Sequence, residues 1–211
     1  MNVLIACEES QTVCKAFRAK GHNAYSCDIL ECSGGHPEWH IVGDAIHAAY
    51  NKSHKLQNGQ SLHIDQWDLM IAHPPCTYLA VSGIHWNSRR PGRQSLTESS
   101  LEFVRQLMQS PINAIAIENP VSIISSRIRK PDQIIQPWYF GDDASKKTCL
   151  WLKNLPLLKE TDRLPGDNKT RRANQTASGQ NKLGPSPDRA KLRSVTYPGI
   201  ALAMANQWSM L

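Results

Sequence analysis

Asp68–Gly83 reads DLMIAHPPCTYLAVSG. With the preceding Trp67 it opens on WDLMIA (Trp67–Ala72), which reads as a buried strand. It stops at Pro74-Pro75, which carry no amide to continue a ladder, and then presents Cys76. Two readings are open at this point. The prolines end a core strand beside a buried thiol, or they form a rigid turn that mounts a nucleophile.

Similar units lie on either side. NVLIA (Asn2–Ala6) reads as a central strand, and SQTVCKAFRAKGH as a helix with Val13, Ala16 and Phe17 on one face and Gly21 placed to end it. NAYSCDI reads as a second strand ending at Asp28. EWHIVGDAIHAAY gives a third short strand, a turn at Gly43-Asp44 and a short helix. Asn51–Gln66 is polar and reads as an irregular surface excursion. SLTESSLEFVRQLMQS is the strongest helix pattern, starting at Ser95 or Thr97 with Glu98 behind. NAIAIENP is a strand ended by Pro120, and TCLWLKNLP is another. Strands alternating with helices predict an α/β fold, a mostly parallel sheet covered on both faces. In such sheets ligands sit beyond the carboxyl ends of the strands. That edge would carry Cys7-Glu8-Glu9, Asp28, Gly43-Asp44, Pro74-Pro75-Cys76 and Glu118-Asn119-Pro120.

The composition fits one domain, residues 1–211, at 40% apolar and 20% charged residues. No apolar run approaches the roughly 20 residues of a membrane span, and the start has no basic region leading a long apolar stretch. Six cysteines without an export signal predict reduced thiols and a cytoplasmic location. A monomer is expected, with a dimer left open. The net charge of +6 permits a phosphate-bearing partner. Leu155–Arg193 is rich in Gly, Pro, Asn, Ser and basic residues, and reads as a long functional or mobile loop.

An acid after the second strand suits ribose hydroxyls, which is the place of Asp28, and Asp44 suits an adenine amino group. Both also suit ordinary turns or caps. Cys76 with Glu118 on the next strand suits attack on carbon 6 of a pyrimidine, with a protonated Glu118 bonding ring nitrogen 3. That role requires a raised carboxyl pKa. Cys27, Cys32, His36 and His40 do not have zinc-finger spacing, so no metal is expected. Trp39 nearby suits stacking or core packing. Arg89, Arg90 and Arg93 follow the cysteine loop. Together with Lys169, Arg171, Arg172, Lys182, Arg189, Lys191 and Arg193 they favour nucleic acid over a free nucleotide.

In order, the Pro-Pro-Cys loop with Gly83, the segment VGDAI, the pair Glu118-Asn119 after a helix and strand, and the closing YPGIALAMANQW resemble the carbon-5 cytosine DNA methyltransferase superfamily. The resemblance covers most of residues 1–153 and the final fifteen or so. It implies the Rossmann-like class I S-adenosylmethionine-dependent methyltransferase fold. It also implies S-adenosyl-L-methionine as cofactor and DNA as partner, with the base flipped out or single-stranded. The cofactor would meet Cys7, Glu8, Glu9, Asp28, Asp44, Pro74, Pro198 and Gly199. Cys76 and Glu118 would be catalytic, with Lys147 as the basic element. Pro75, Asn119, Arg89, Arg90, Lys146, Arg171 and Arg172 would meet the substrate.

The chain departs from that pattern in several places. ACEESQ stands where the family has a glycine-rich turn, so the methionine end must be held differently. His73 replaces a glycine and Thr77 a glutamine, and lysines stand in for arginines without their bidentate fork. The basic loop 155–193 replaces a target-recognition domain. Three alternatives remain: the same chemistry on a free pyrimidine nucleotide, a catalytically inactive nucleic-acid-binding protein, and an amino-group methyltransferase. HPPCTY disfavours the last, having neither Asn or Asp before the prolines nor the aromatic directly after them.

Overall fold

The computed structural model describes residues 1–186 and 188–209. Pro187, inside the basic loop, and residues 210–211 lie outside the description. In chain order the elements are β1 (Asn2–Ala6), α1 (Thr12–Arg18), β2 (Asn23–Asp28), β3 (His40–Val42), α2 (Ala45–Tyr50), β4 (Ser53–Lys55), β5 (Ser61–His63) and β6 (Leu69–Ala72). They continue with α3 (Arg93–Gln109), β7 (Ala114–Pro120), α4 (Ile124–Arg127), β8 (Gln133–Ile135), β9 (Thr148–Lys153), α5 (Arg189–Ser194) and α6 (Pro198–Trp208).

Seven strands make one sheet in the order β3-β2-β1-β6-β7-β9-β8. Pairing from β3 through β7 is parallel, whereas β9 runs antiparallel to both β7 and β8. This is the Rossmann-like methyltransferase architecture. Alternate residues of the central strands supply two cores. Leu4, Ala6, Met70, Ala72, Ile115 and Ile117 pack with Ala45, Ala48, Leu101, Val104 and Leu107 of α2 and α3. Val3, Ile5, Leu69, Ile71, Ala114 and Ala116 pack with Val13, Phe17, Ala201, Met204 and Trp208 of α1 and α6. A strand buried on both faces cannot show a polar alternation, so its sequence is a continuous apolar run.

The structure corrects two sequence expectations and adds one strand. Asn51–Gln66 contains the antiparallel hairpin β4–β5. Its strands are three residues each and carry too few apolar positions to announce themselves. Helix α3 begins at Arg93, after Gly92 with φ 76°, and not at Ser95 or Thr97. Thr97 is buried, and its hydroxyl bonds Asn87 and the carbonyl of Tyr78 instead of capping a helix. The added strand is β8, at the sheet edge, whose three residues gave no separate signal.

Candidate active site

The parallel register decides which residues meet. Ala6 pairs with Cys27 and Ala72, and Ala72 pairs with Ile117. One residue further on, Cys7, Asp28, His73 and Glu118 therefore stand in a row across the carboxyl edge. β9 enters from the opposite direction, with Thr148 opposite Pro120. Lys146 and Lys147, just before it, reach the same edge.

The turn after β6 is held from its neighbours. Asn119 donates from Nδ2 to the carbonyl of Pro74 at 2.7 Å, inside the protein. The amides of Leu79 and Ala80 donate to the carbonyl of Cys76, starting a turn there. Val81 and Ile123 exchange backbone bonds with Val121 and Leu79, so the chain after β7 braces the chain after Cys76. Arg93 turns inward and bonds the carbonyl of Thr77 at 2.9 Å. Pro74 is buried, while Pro75 and Cys76 are exposed. Asn119, expected at the substrate, thus works on the scaffold through Nδ2, while its buried Oδ1 has no partner. Asn119→Ala would leave the Pro74 carbonyl unsatisfied. It is expected to destabilise the fold by about 1–3 kcal/mol in urea unfolding.

Glu118 is buried and lies 2.8 Å from Nδ1 of His73, itself 7% exposed at the side chain. Burial alone would raise the carboxyl pKa. The charge of Lys146, and then the hydrogen bond and charge of His73, outweigh it and hold the pKa at about 2. Glu118 is therefore ionised, opposite to the raised pKa expected from sequence, and Nδ1 of His73 carries the proton between them. His73 was legible only as an unexplained substitution. Its role follows from a partner 45 residues away.

Although Cys76 is exposed at the surface, the protein around it partly desolvates the thiol and pushes it above its ordinary range. Lys146 opposes that push, Glu118 adds to it, and Arg193 opposes it weakly. The charge of Lys146 thus acts on both Cys76 and Glu118, whereas Lys147 is exposed and bears on Cys149. Alkylation of Cys76 by iodoacetamide, followed by mass spectrometry of its peptide, is expected to keep rising beyond pH 9.0, the ordinary thiol value. Lys146→Ala is expected to slow it at fixed pH.

At the β1 end the glycine-free turn is built by left-handed backbone at Cys7 and Gln11, both with φ 59°. Each non-glycine residue in that region costs about 1 kcal/mol or more. Gln11 offsets this by bonding Ser26, the carbonyl of His36 and the amide of His36. Burial, followed by the carboxylates of Asp28 and Asp44, lifts the Cys7 thiol well above its usual range. Glu8 accepts from the amides of Val13 and Cys14 at 2.6 and 3.1 Å, so its two oxygens cap α1. Asp28 accepts from Leu30 and Asp44 from Ile46, each with one oxygen. Ile29, directly after Asp28, is 78% exposed and offers an apolar face beside that acid. At the last segment, Gly199 donates to Asp142, and a Cβ there would run into the Phe140 carbonyl. Pro198 is exposed at the start of α6.

Of the basic residues, Arg89, Arg90 and Arg171 are exposed, the first two flanking Trp86. Arg172 is a correction. It is 5% exposed and stacked over Trp138, with Asp143 at 3.8 Å, so it packs within the fold instead of standing at the surface, and its Nε and Nη2 have no hydrogen-bond partner. His36 stacks on Trp39, and His40 bonds Ser26 and the Leu30 carbonyl. Helix α5 brings Lys191 to 3.7 Å from Glu9, and Arg193 into the field of Cys76.

No family model and no curated protein matches the chain. Among solved structures, an E. coli prophage protein, provisionally described as a DNA modification methyltransferase, is similar at 13% identity with a TM-score of 0.45. The match covers 98% of this chain and 69% of that one. At that identity and score it adds no weight to what the residues say. No helix among the described residues is long and apolar enough to cross a membrane.

Proposed function

We propose that this chain methylates carbon 5 of cytosine in DNA, using S-adenosylmethionine. The observation that carries the reading is the exposed Cys76, braced on a Pro-Pro turn beside buried Glu118, with Lys146 in the field of both. The cofactor fits the residues at β1 and β2. Asp28 has a free oxygen for ribose beside the apolar face of Ile29, and the buried carboxylate of Glu9 has no hydrogen-bond donor. When bound, S-adenosylmethionine supplies the methyl group that carbon 5 receives.

The chain's own residues do the rest. The thiolate of Cys76 forms a bond to carbon 6 of the base, which makes carbon 5 electron-rich. Lys146 favours that thiolate against the burial that opposes it. Glu118 begins as a carboxylate held by His73 and Lys146, and faces the cytosine amino group as an acceptor. A bound base covers the little of Glu118 that still meets solvent, and a phosphate that engages Lys146 weakens the cation that holds it ionised. With its pKa raised, Glu118 takes up the proton that Cys76 releases on ionising, passes it to ring nitrogen 3 as the carbon-6 bond forms, and receives it back when Cys76 leaves. Loss of the carbon-5 proton to a base then expels Cys76. Arg89, Arg90 and Arg171 are placed for phosphates, so binding should weaken steeply with salt.

The test is methyl-labelled cofactor with duplex and single-stranded DNA of mixed sequence, digested to nucleosides. 5-Methylcytosine is expected. Methylation of an exocyclic amino group would overturn the reading, and turnover of a mononucleotide without DNA would move it to the free-nucleotide alternative.

A further inference from the structure

Resting on the cofactor reading above, we infer that Glu9 is the anchor for the ammonium group of the cofactor's amino-acid tail, in place of the missing glycine-rich turn. Glu9 follows β1 at the carboxyl edge and is 7% exposed. Both of its carboxylate oxygens are buried and accept no hydrogen bond. The facing cation is Lys191, at 3.7 Å, beyond hydrogen-bond range and on a half-exposed side chain of the short helix α5. A buried carboxylate with so loose a partner is unfavourable in the free protein and calls for a donor-rich cation.

The neighbours select which cation. The α1 amides that would attract an anionic group are already taken by Glu8, so the start of this helix offers little to a carboxylate or phosphate. No group of three metal-ligating side chains exists among the described residues. The loop after β2 is stapled against the β1 turn, with Ser33 donating to the Glu9 carbonyl and Gln11 bonding His36 on both sides. Glu9 follows β1 and Asp28 ends β2, and these paired parallel strands bring both acids to the same carboxyl edge. An ammonium carries three donors and no acceptor, matching two empty carboxylate oxygens.

Calorimetry with S-adenosylhomocysteine and 5′-methylthioadenosine, which lacks the amino-acid tail, tests this. Glu9→Gln is expected to weaken S-adenosylhomocysteine at least tenfold while changing 5′-methylthioadenosine less than twofold. In the wild type, the deamino analogue of S-adenosylhomocysteine is expected to bind at least tenfold more weakly than the parent, a measurement that needs no variant. Equal effects on both ligands, no effect of Glu9→Gln, or a deamino analogue as tight as the parent would overturn the inference and leave the cofactor reading standing. A wild type that binds neither nucleoside removes that reading, and this inference with it.

Discussion

Cys76→Ser is expected to lower methyl transfer by at least about 10³-fold, a barrier increase of about 4 kcal/mol. It should also abolish the covalent complex with DNA containing 5-fluorocytosine. A serine hydroxyl is far less acidic than a thiol, and the charged groups beside it do not offer a strong base. Glu118 is a weak base with a pKa of about 2, and Lys146 is a cation. Fluorine at carbon 5 blocks the proton loss that would release Cys76, so the wild type should be trapped after methyl transfer and migrate with the DNA in a denaturing gel. Cys76 is exposed, so the variant should unfold within about 0.5 kcal/mol of the wild type. A trapped complex in Cys76→Ser, or none in a wild type shown to bind cofactor, would refute the nucleophile.

Glu118→Gln should reduce turnover by about 10²–10⁴-fold, the usual worth of a positioned acid. It also carries a stability signature that separates it from Cys76→Ser. The Glu118 carboxyl sits near 2 in the folded protein against an ordinary 4.5. A depressed carboxyl contributes stability above its unfolded pKa and loses it as pH falls through the folded one. The difference corresponds to about 3 kcal/mol at neutral pH, disappearing between about pH 4.5 and pH 2. Urea unfolding at pH 7 and at pH 3 should show the wild type weakening across that interval. Glu118→Gln should be less stable at pH 7 and change less on acidification. A wild type with no extra acid sensitivity would show that His73 and Lys146 do not hold the carboxylate.

The strand sequence was readable because doubly buried strands leave continuous apolar runs, and Ala6, Ala72 and Ile117 mark where each one stops. Once the strands are parallel and adjacent, the row Cys7, Asp28, His73 and Glu118 follows. The ionisation of Glu118 was not readable. It depends on which way His73 and Lys146 point, and both approach from other strands. Arg172 misled because a basic residue in a polar loop carries no local mark of a tryptophan waiting beneath it. Gln11 was hidden for a related reason. A left-handed turn normally announces itself by glycine, and here side-chain bonds to a distant loop take over that task.

The reversed direction of β9 has a consequence for where the chain tolerates a change in length. Lys153 ends beside Ile115, at the opposite edge from Cys76, so the chain has to climb the height of the sheet to return. It does so along the β8 flank. Leu158 bonds Gln133, Asp162 bonds the Tyr139 carbonyl, and Asn174 bonds Ser145. By Asn174 the ascent is complete, and Gln175–Ser186 is surplus to it, closed on itself by a bridge between Gln175 and Asn181. Lengthening a surface loop costs only about 0.6 kcal/mol for each doubling. The surplus is therefore the part of this return whose length can change at least cost, leaving the climb beneath undisturbed.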